Sequence, residues 1–422
     1  MNFIFVSPHF PTNYFHFCEQ LAQNGVNVLG IGDGPYDQLQ PELKRALTEY
    51  YRVGSMENYD EMYKAVAYFT FKYGPIDWLE SNNEHWMLRD AELRTAFHIT
   101  SGFASDVRMA RSEMHPESHP HIMEVLQKSE MKRFYALAGV PTCRYVLSSE
   151  GLDEALAFAE KVDYPLFCRP NVRNSNLPVV QIVDEQELTA FFEQHDGPDD
   201  YIIEPYVTGD IWTYDAVVDA EGEPLYESNC VYPPVADIIY DALDSTHFIP
   251  GEMNPELRDA GRRLVKAYGV KSRFVHLEFF RLSHDHIALG KKGDFVGLEV
   301  NMRPGGGYMP EMINYAHNID VYKIWADMIC GRVAQHAANA EETPVAADKP
   351  ETHFFTQFVG RRDGASYVHS HDEVLKTYGS QLCMTTRVPD VLSDALGNNA
   401  YIARFETEEE MKAFADFMTQ RG

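Results

Sequence analysis

The sequence predicts a multidomain α/β and α+β protein: a parallel α/β domain at the N-terminus, a strand-rich core and a small C-terminal α+β domain. Three observations carry that reading. Over roughly the first 100 residues, short apolar runs alternate with helical stretches, the pattern of a parallel sheet with crossover helices. From residue 201 to 330 the chain reads mostly as antiparallel strands, broken by a helix at Pro255–Tyr268. The Ala/Pro/Glu-rich tract Gln335–Thr352 then reads as a linker ahead of a short strand, strand and helix tail.

In the first part, NFIFV (2–6) is a buried strand, and a helix over Asn13–Asn24 closes at Gly25. MNFIFVSPHF has neither a basic leading region nor a small-residue cleavage site, so a strand is expected there and not a signal peptide. VNVLGIG is the second strand and ends in the turn 32–35, GDGP. A helix over Tyr59–Tyr73 stops at Gly74 and Pro75, and IDWLES and Glu84–Phe97 follow as strand and helix. The turn after the first strand, SPHFPTN, lacks the glycines that let a pyrophosphate approach the backbone, which argues against a dinucleotide site. His9, Asn82, Asn83 and Glu84 fall at strand ends, where open α/β sheets place ligands; turn roles are the commoner alternative.

The Pro- and His-rich segment Ser112–His121 reads as a connector, with a metal tract the rarer alternative. Lys128 and Ser129 open a helix with Met131, Phe134, Tyr135 and Ala138 on one side, ended by Gly139-Val140-Pro141. The strand RYVLSS, a helix over Asp153–Lys161, the strand YPLFCRP, a polar loop over Asn171–Asn176, the strand VVQIV and a helix from Glu185 come next. YIIEPYV and the long strand IWTYDAVVDA lead into the antiparallel region. In the tail, HFFTQFVG and YIARF are strands, and Thr407–Glu410 is a capping box for the last helix.

With 422 residues the chain is long enough for two to four domains, and 45% hydrophobic with 24% charged residues is a normal globular mixture. A net charge of −28 speaks against nucleic acid and anionic membrane surfaces as partners, because both require a basic face. No apolar run approaches the ~20 residues needed to span a bilayer. The six cysteines are scattered without a CxxC pair, which suits reduced thiols and a cytoplasmic location.

The stretch 273–310, RFVHLEFFRLSHDHIALGKKGDFVGLEVNMRPGGGYMP, reads as two strands around a polar connection, then a Pro-Gly-Gly-Gly loop. Alternation puts His276, Glu278 and Phe280 on one face of the first strand. On the second it puts Glu299, Asn301 and Arg303 on one face, with Val296, Leu298 and Val300 on the other. Antiparallel pairing would aim Glu278 and Glu299 into one space, where two carboxylates and an amide oxygen call for a cation. Such hard ligands suit Mg²⁺, which binds through one or two carboxylates together with substrate phosphates. A hairpin with a solvated polar face is the alternative, and Arg303 with Gly305, Gly306 and Gly307 tips the balance toward a site.

Four elements in order resemble the ATP-grasp superfamily: Lys128 ahead of GVP, YPLFCRP, YIIEPYVTG, and HLEF followed by LEVNMRPGGG. The resemblance implies a pre-ATP-grasp domain at 1–111, an ATP-grasp core at 112–335 whose lid lobe spans about 140–205, and a C-terminal domain at 350–422. It implies that Lys128 and Arg169 contact phosphate, although the family usually has Lys at the second position. The loop carrying Asn174 and Ser175 would close over the triphosphate without the usual glycines. The run Glu204, Pro205, Tyr206 and Val207 would hold adenine, and Asp210 would serve the ribose, because Ile211 stands where the family has a glutamate. Glu278, Glu299 and Asn301 would bind Mg²⁺, with Mn²⁺ as an alternative, and Arg303 would contact the transferring phosphate. Gly305, Gly306 and Gly307 would nest a substrate carboxylate.

The implied activity is ADP-forming ligation of a small-molecule carboxylate to an amine through an acyl phosphate, closest to the amino-acid-ligase branch. A carboxylase, a small-metabolite kinase and a non-catalytic ATP-binding protein stay open, as does a homodimer. Tyr232 and Tyr240 are aromatic candidates near the substrate, and Arg361 and Arg362 are candidates for its carboxylate, with packing and solvated charge the commoner alternatives.

Overall fold

The computed structural model describes residues 1–99, 122–172, 178–195, 200–234, 243–286, 289–332 and 353–422. Asn174, Ser175, Tyr240, the segment 112–121 and the tract 335–352 lie outside the described residues. The strands, in chain order, are β1 (Asn2–Val6), β2 (Asn27–Gly32), β3 (Glu49–Arg52), β4 (Trp78–Glu80), β5 (Val146–Leu147), β6 (Leu166–Pro170), β7 (Val180–Ile182), β8 (Tyr201–Pro205) and β9 (Gly209–Val218). They continue with β10 (Pro224–Ser228), β11 (Val231–Tyr232), β12 (Ser245–Ile249), β13 (Arg273–Leu282), β14 (Phe295–Asn301), β15 (Phe355–Arg361), β16 (Leu382–Arg387) and β17 (Asn399–Phe405).

The N-terminal strands form a four-stranded sheet in the order β3-β2-β1-β4, all parallel, as the alternation of strands and helices predicts. The helix Tyr59–Tyr73 has the predicted limits; Asn58 caps it by accepting from the Asp60 and Glu61 N–H groups, and Gly74 follows it at φ 87°. The sheet's third strand and the helix Pro41–Ala46 carry weaker signals in the sequence, being short and polar, and escape the alternation pattern.

A second four-stranded sheet, β5-β8-β6-β7, gathers residues 146–205. Its strands sandwich Leu166, Cys168, Ile182, Tyr201 and Ile203 against the helices Leu152–Val162 and Glu185–Gln194. The third sheet has nine strands in the order β14-β13-β9-β11-β12-β15-β17-β16, with β10 pairing β9. The C-terminal strands therefore continue the central sheet through the β12–β15 pair. One apolar cluster also runs from Phe3, Phe5 and Phe17 through Tyr322 and Trp325 to Phe358 and Ile402, joining both ends of the chain. The helix His371–Tyr378 and the edge strand β16 are elements of this tail that apolar runs do not reveal. In the last helix Thr407 caps by accepting from the Glu410 N–H.

One face of β9, β13 and β14 packs on the helices Lys128–Leu137 and Pro255–Tyr268, through Tyr214, Ala216, Val275, Leu277, Phe279 and Val300. Closeness there is set by glycine: a Cβ on Gly297 would lie 2.1 Å from the buried Tyr135 ring. Gly297→Ala is expected to lower the unfolding free energy by about 1–3 kcal/mol, since overpacking a rigid contact forces neighbours off their rotamers. Gly306→Ala, where a Cβ meets nothing within 4 Å, is expected to stay within about 0.5 kcal/mol of the unmodified chain. Chemical denaturation of the two variants side by side checks the contrast.

Candidate functional site at the strand pair and the lobe boundary

The antiparallel register of β13 and β14 sets Glu278 opposite Glu299 and His276 opposite Asn301. All four side chains thus share the face of the sheet away from the two packing helices. A bulge between Glu278 and Phe279 inserts Leu298 into the ladder, so that Val296 opposes Phe280. Strict alternation places Val296 on the other face; the bulge brings it round beside Phe280, Cys143, Val207 and Leu282, in an apolar patch next to the carboxylates.

Each carboxylate has cationic or hydroxyl company. Glu278 Oε1 lies 3.2 Å from His276 Nε2 and 3.5 Å from Asn301 Nδ2, and the Tyr232 hydroxyl donates to Glu278. His276 Nδ1 in turn lies 2.7 Å from Asp215 Oδ1, and Asp215 accepts from the Thr213 hydroxyl. Burial alone would lower the His276 pKa, but Asp215 and Glu278 outweigh it and hold it up at about 9. Glu299 is paired with Lys128 at 3.5 Å, and Lys128 also donates to the Pro170 carbonyl at 3.0 Å. Arg303 bridges Asn301 Oδ1 at 3.0 Å and Glu84 at 2.9 Å, which ties the strand end to the N-terminal domain.

At the lobe boundary, Glu204 on β8 is buried between two cations. Lys132 Nζ lies 2.5 Å from one carboxylate oxygen, and Arg169 on the neighbouring β6 donates to the other. Burial would raise the Glu204 pKa, but the two cations overcome it and hold the carboxyl below its usual range. Glu204, expected to hold adenine, is thus ion-paired with Arg169, and Lys132 joins the pair.

Other predicted residues fall elsewhere. Asp210 pairs with Arg281 across β9 and β13, while Ile211 pairs with Phe280 and Thr213 with Glu278. Asp210 is therefore on the opposite face from Glu278, lining an open cavity of about 500 Å³ with Trp212, Arg281 and Lys292. Tyr206 and Val207, expected at the adenine, line the same cavity. Arg361 is buried and donates to the Met418 and His369 carbonyls, and Arg362 donates to those of Leu243 and Asp394. Arg361 thereby ties β15 to the last helix from a buried position, and Arg362, half-buried, reaches the segment before β12. In the glycine loop, Gly305 packs against Met309 and Gly307 has φ 62°, so only Gly306 borders open space. Asn13 donates to the Gly307 carbonyl at 3.2 Å and to Glu311 at 3.0 Å, fixing the loop to the first domain.

His276, Asp215 and Lys132 are site residues to which motif reading gives no role, and Tyr232, an aromatic candidate in the sequence, is found half-buried against Glu278. Lys132 alone leaves a local signal, since it follows Lys128 by one helical turn and shares its face. The Asp215 and Tyr232 contacts depend on strand pairing across 61 and 46 residues of sequence, which no local pattern encodes.

The donors at β13 and β14 are all hard oxygens: two opposed carboxylates and one amide. Among the described residues no group of three His, Cys, Asp or Glu side chains could hold a metal ion. Two carboxylates with an amide still fit a Mg²⁺ ion that completes its shell from phosphate and water. All six cysteines are free, and no helix among the described residues is long and apolar enough to cross a membrane.

No protein-family model and no curated protein matches the chain in sequence. Solved structures do match it from end to end. The L-amino acid ligase from Bacillus licheniformis aligns at 13% identity with a TM-score of 0.66, over 98% of this chain and 95% of the other. Phosphoribosylglycinamide synthetase from Anaerococcus prevotii aligns at 13% identity and a TM-score of 0.63, over 98% and 96%. The biotin carboxylase domain of 2-oxoglutarate carboxylase from Hydrogenobacter thermophilus, a dimer solved with MgADP and bicarbonate, aligns at 14% and 0.59, over 96% and 86%. The chain therefore has the ATP-grasp fold, shared with ligases and a carboxylase alike.

A buried charge network seats the first domain against this site. Arg273, at the start of β13, donates to Glu80 at 3.0 Å and to the Met302 carbonyl at 2.9 Å, and Arg94 lies 3.6 Å from Glu80. Asp90 accepts from the Ser81 N–H at 2.9 Å, and burial with Glu80 nearby pushes its pKa up to about 7. A carboxyl raised from 3.8 to about 7 makes the fold bind the extra proton, so its stabilisation is lost as pH climbs from about 4 to about 7. Melting curves of Asp90→Asn are expected to lack that decline, making the variant gain on the unmodified chain between pH 4 and pH 7; a constant difference would count against it.

Proposed function

We propose that this chain is an ATP-dependent ligase that joins a small-molecule carboxylate to an amine, forming an amide or peptide-like bond and releasing ADP and phosphate. The observation that carries the reading is the meeting of two opposed carboxylates with the cations Lys128, Arg169 and Arg303 in a chain of net charge −28. Such a cluster of cations in an acidic protein suits a polyphosphate and its metal ion.

Magnesium held by Glu278, Glu299 and Asn301 would supply positive charge to the phosphate oxygens. Lys128, within reach of Glu299 and the end of β6, supplies a further positive charge on the same side. Arg303, held between Glu84 and Asn301, places a guanidinium where charge develops on the transferring phosphoryl group. Asp215 keeps His276 oriented toward Glu278, and Tyr232 reaches the same carboxylate from β11, on the far side of β9. The open backbone at Gly306 offers N–H groups to a substrate carboxylate. Burial pushes the nearby Cys143 thiol up to about 12, which suits direct transfer to the substrate without a thiolate nucleophile.

Incubation with Mg-ATP and pooled amino acids, amines and hydroxy acids, followed by mass spectrometry and nucleotide analysis, tests the proposal. ADP with a condensed product is expected. A carboxylated or phosphorylated product would point to a carboxylase or kinase, AMP with pyrophosphate would overturn the acyl-phosphate route, and tight ATP binding without product would favour a sensor. Glu299→Gln is expected to lose at least ~100-fold in turnover with an unchanged melting curve.

A further inference from the structure

We infer that Lys132 is a positioning residue for nucleotide binding: it retains the buried Glu204 carboxylate so that the Arg169 guanidinium is free to move onto a phosphate oxygen. The inference rests on the nucleotide site proposed above. Glu204 is 3% exposed, and its two oxygens are met by two cations, one more than neutrality requires. The two cations are held unequally. Lys132 also donates to Thr142 Oγ1 at 3.0 Å, and that hydroxyl donates to the Gly297 carbonyl at 2.9 Å, so the ammonium is moored to β14. Arg169 donates to the other carboxylate oxygen, and its Nε is buried and makes no hydrogen bond among the described residues. Its charge also feels Glu299, at the metal end of the site.

A guanidinium with unused donors beside a carboxylate that has a second counter-ion can transfer to an incoming anion without stranding a buried charge. Lys132 makes that transfer tolerable. With Lys132 removed, Arg169 becomes the only counter-ion of Glu204 among the described residues, and nucleotide binding must compete with the carboxylate for it. Four residues earlier on the same helix, Lys128 faces Glu299 and the Pro170 carbonyl, so the two lysines span the site from its hinge end to its metal end.

Isothermal titration of the full chain with Mg-ATP tests this. Lys132→Met is expected to weaken binding by about 10-fold or more, because a buried carboxylate would be left unpaired in the complex. Lys132→Arg keeps a counter-ion for Glu204, and its affinity is expected to return to within about threefold of the unmodified chain. Unchanged affinity in Lys132→Met, or a Lys132→Arg variant no tighter than Lys132→Met, overturns the inference alone. If Lys132→Met does not fold, Lys132→Gln serves: it removes the same charge, so weaker binding is expected, and unchanged affinity in the folded variant overturns the inference. Absence of ATP binding by the unmodified chain overturns this inference together with the proposed function.

Discussion

Two carboxylates held face to face on adjacent strands dictate most of what surrounds them. Glu278 and Glu299 are directly opposed in an antiparallel ladder, where side chains on one face stand roughly 5 Å apart. Like charges so placed repel unless cations or hydrogen-bond donors intervene. The protein answers with His276 and Tyr232 on one carboxylate and Lys128 on the other. The bulge beside Glu278 adds to this arrangement by turning Val296 toward the apolar patch, so a polar end and an apolar end lie side by side on one sheet face.

The same logic of compensated burial extends to the lobe boundary. Burial pushes the Glu204 carboxyl up, yet Lys132 and Arg169 outweigh it and hold the group below its usual range. Removing one partner of a buried pair usually costs more than the pair itself contributes, because the remaining charge is left in a poor solvent. Redundant counter-ions soften that penalty. They also place surplus positive charge between the sheet of residues 146–205 and the central sheet, in a protein whose overall charge is strongly negative.

The first domain is bound to this arrangement by charge as well as by packing. Glu80 and Glu84, at and just beyond the end of β4, reach Arg273 and Arg303, which bracket the two site strands in sequence. Phe17 against Tyr322 and Trp325 supplies the apolar half of the contact, with ring centroids 4.7 and 5.0 Å apart. Strand-end residues of a parallel sheet thus meet the end of an antiparallel one, and the loop 304–308 lies at the seam, tied by Asn13.

Local pattern determined a good deal by itself. Alternation and turn residues place the parallel sheet, the long strands and the helix Pro255–Tyr268 at its observed limits, because burial on one face imposes a period that the sequence must display. The facing of Glu278 and Glu299 follows from period two and a hairpin. Tertiary structure alone decided what pairs with what. Asp210 and Ile211 differ by one position, and only the register with β13 tells which shares a face with Glu278. Arg361 and Arg362 look like free cations until the C-terminal segment folds onto the central sheet, where the last helix and the loop before β12 supply carbonyls to bond them. Asp215, Tyr232, Lys132 and Glu84 acquire their partners from segments distant in sequence, and a contact between distant segments depends on how sheets and helices stack, which no short stretch of residues records.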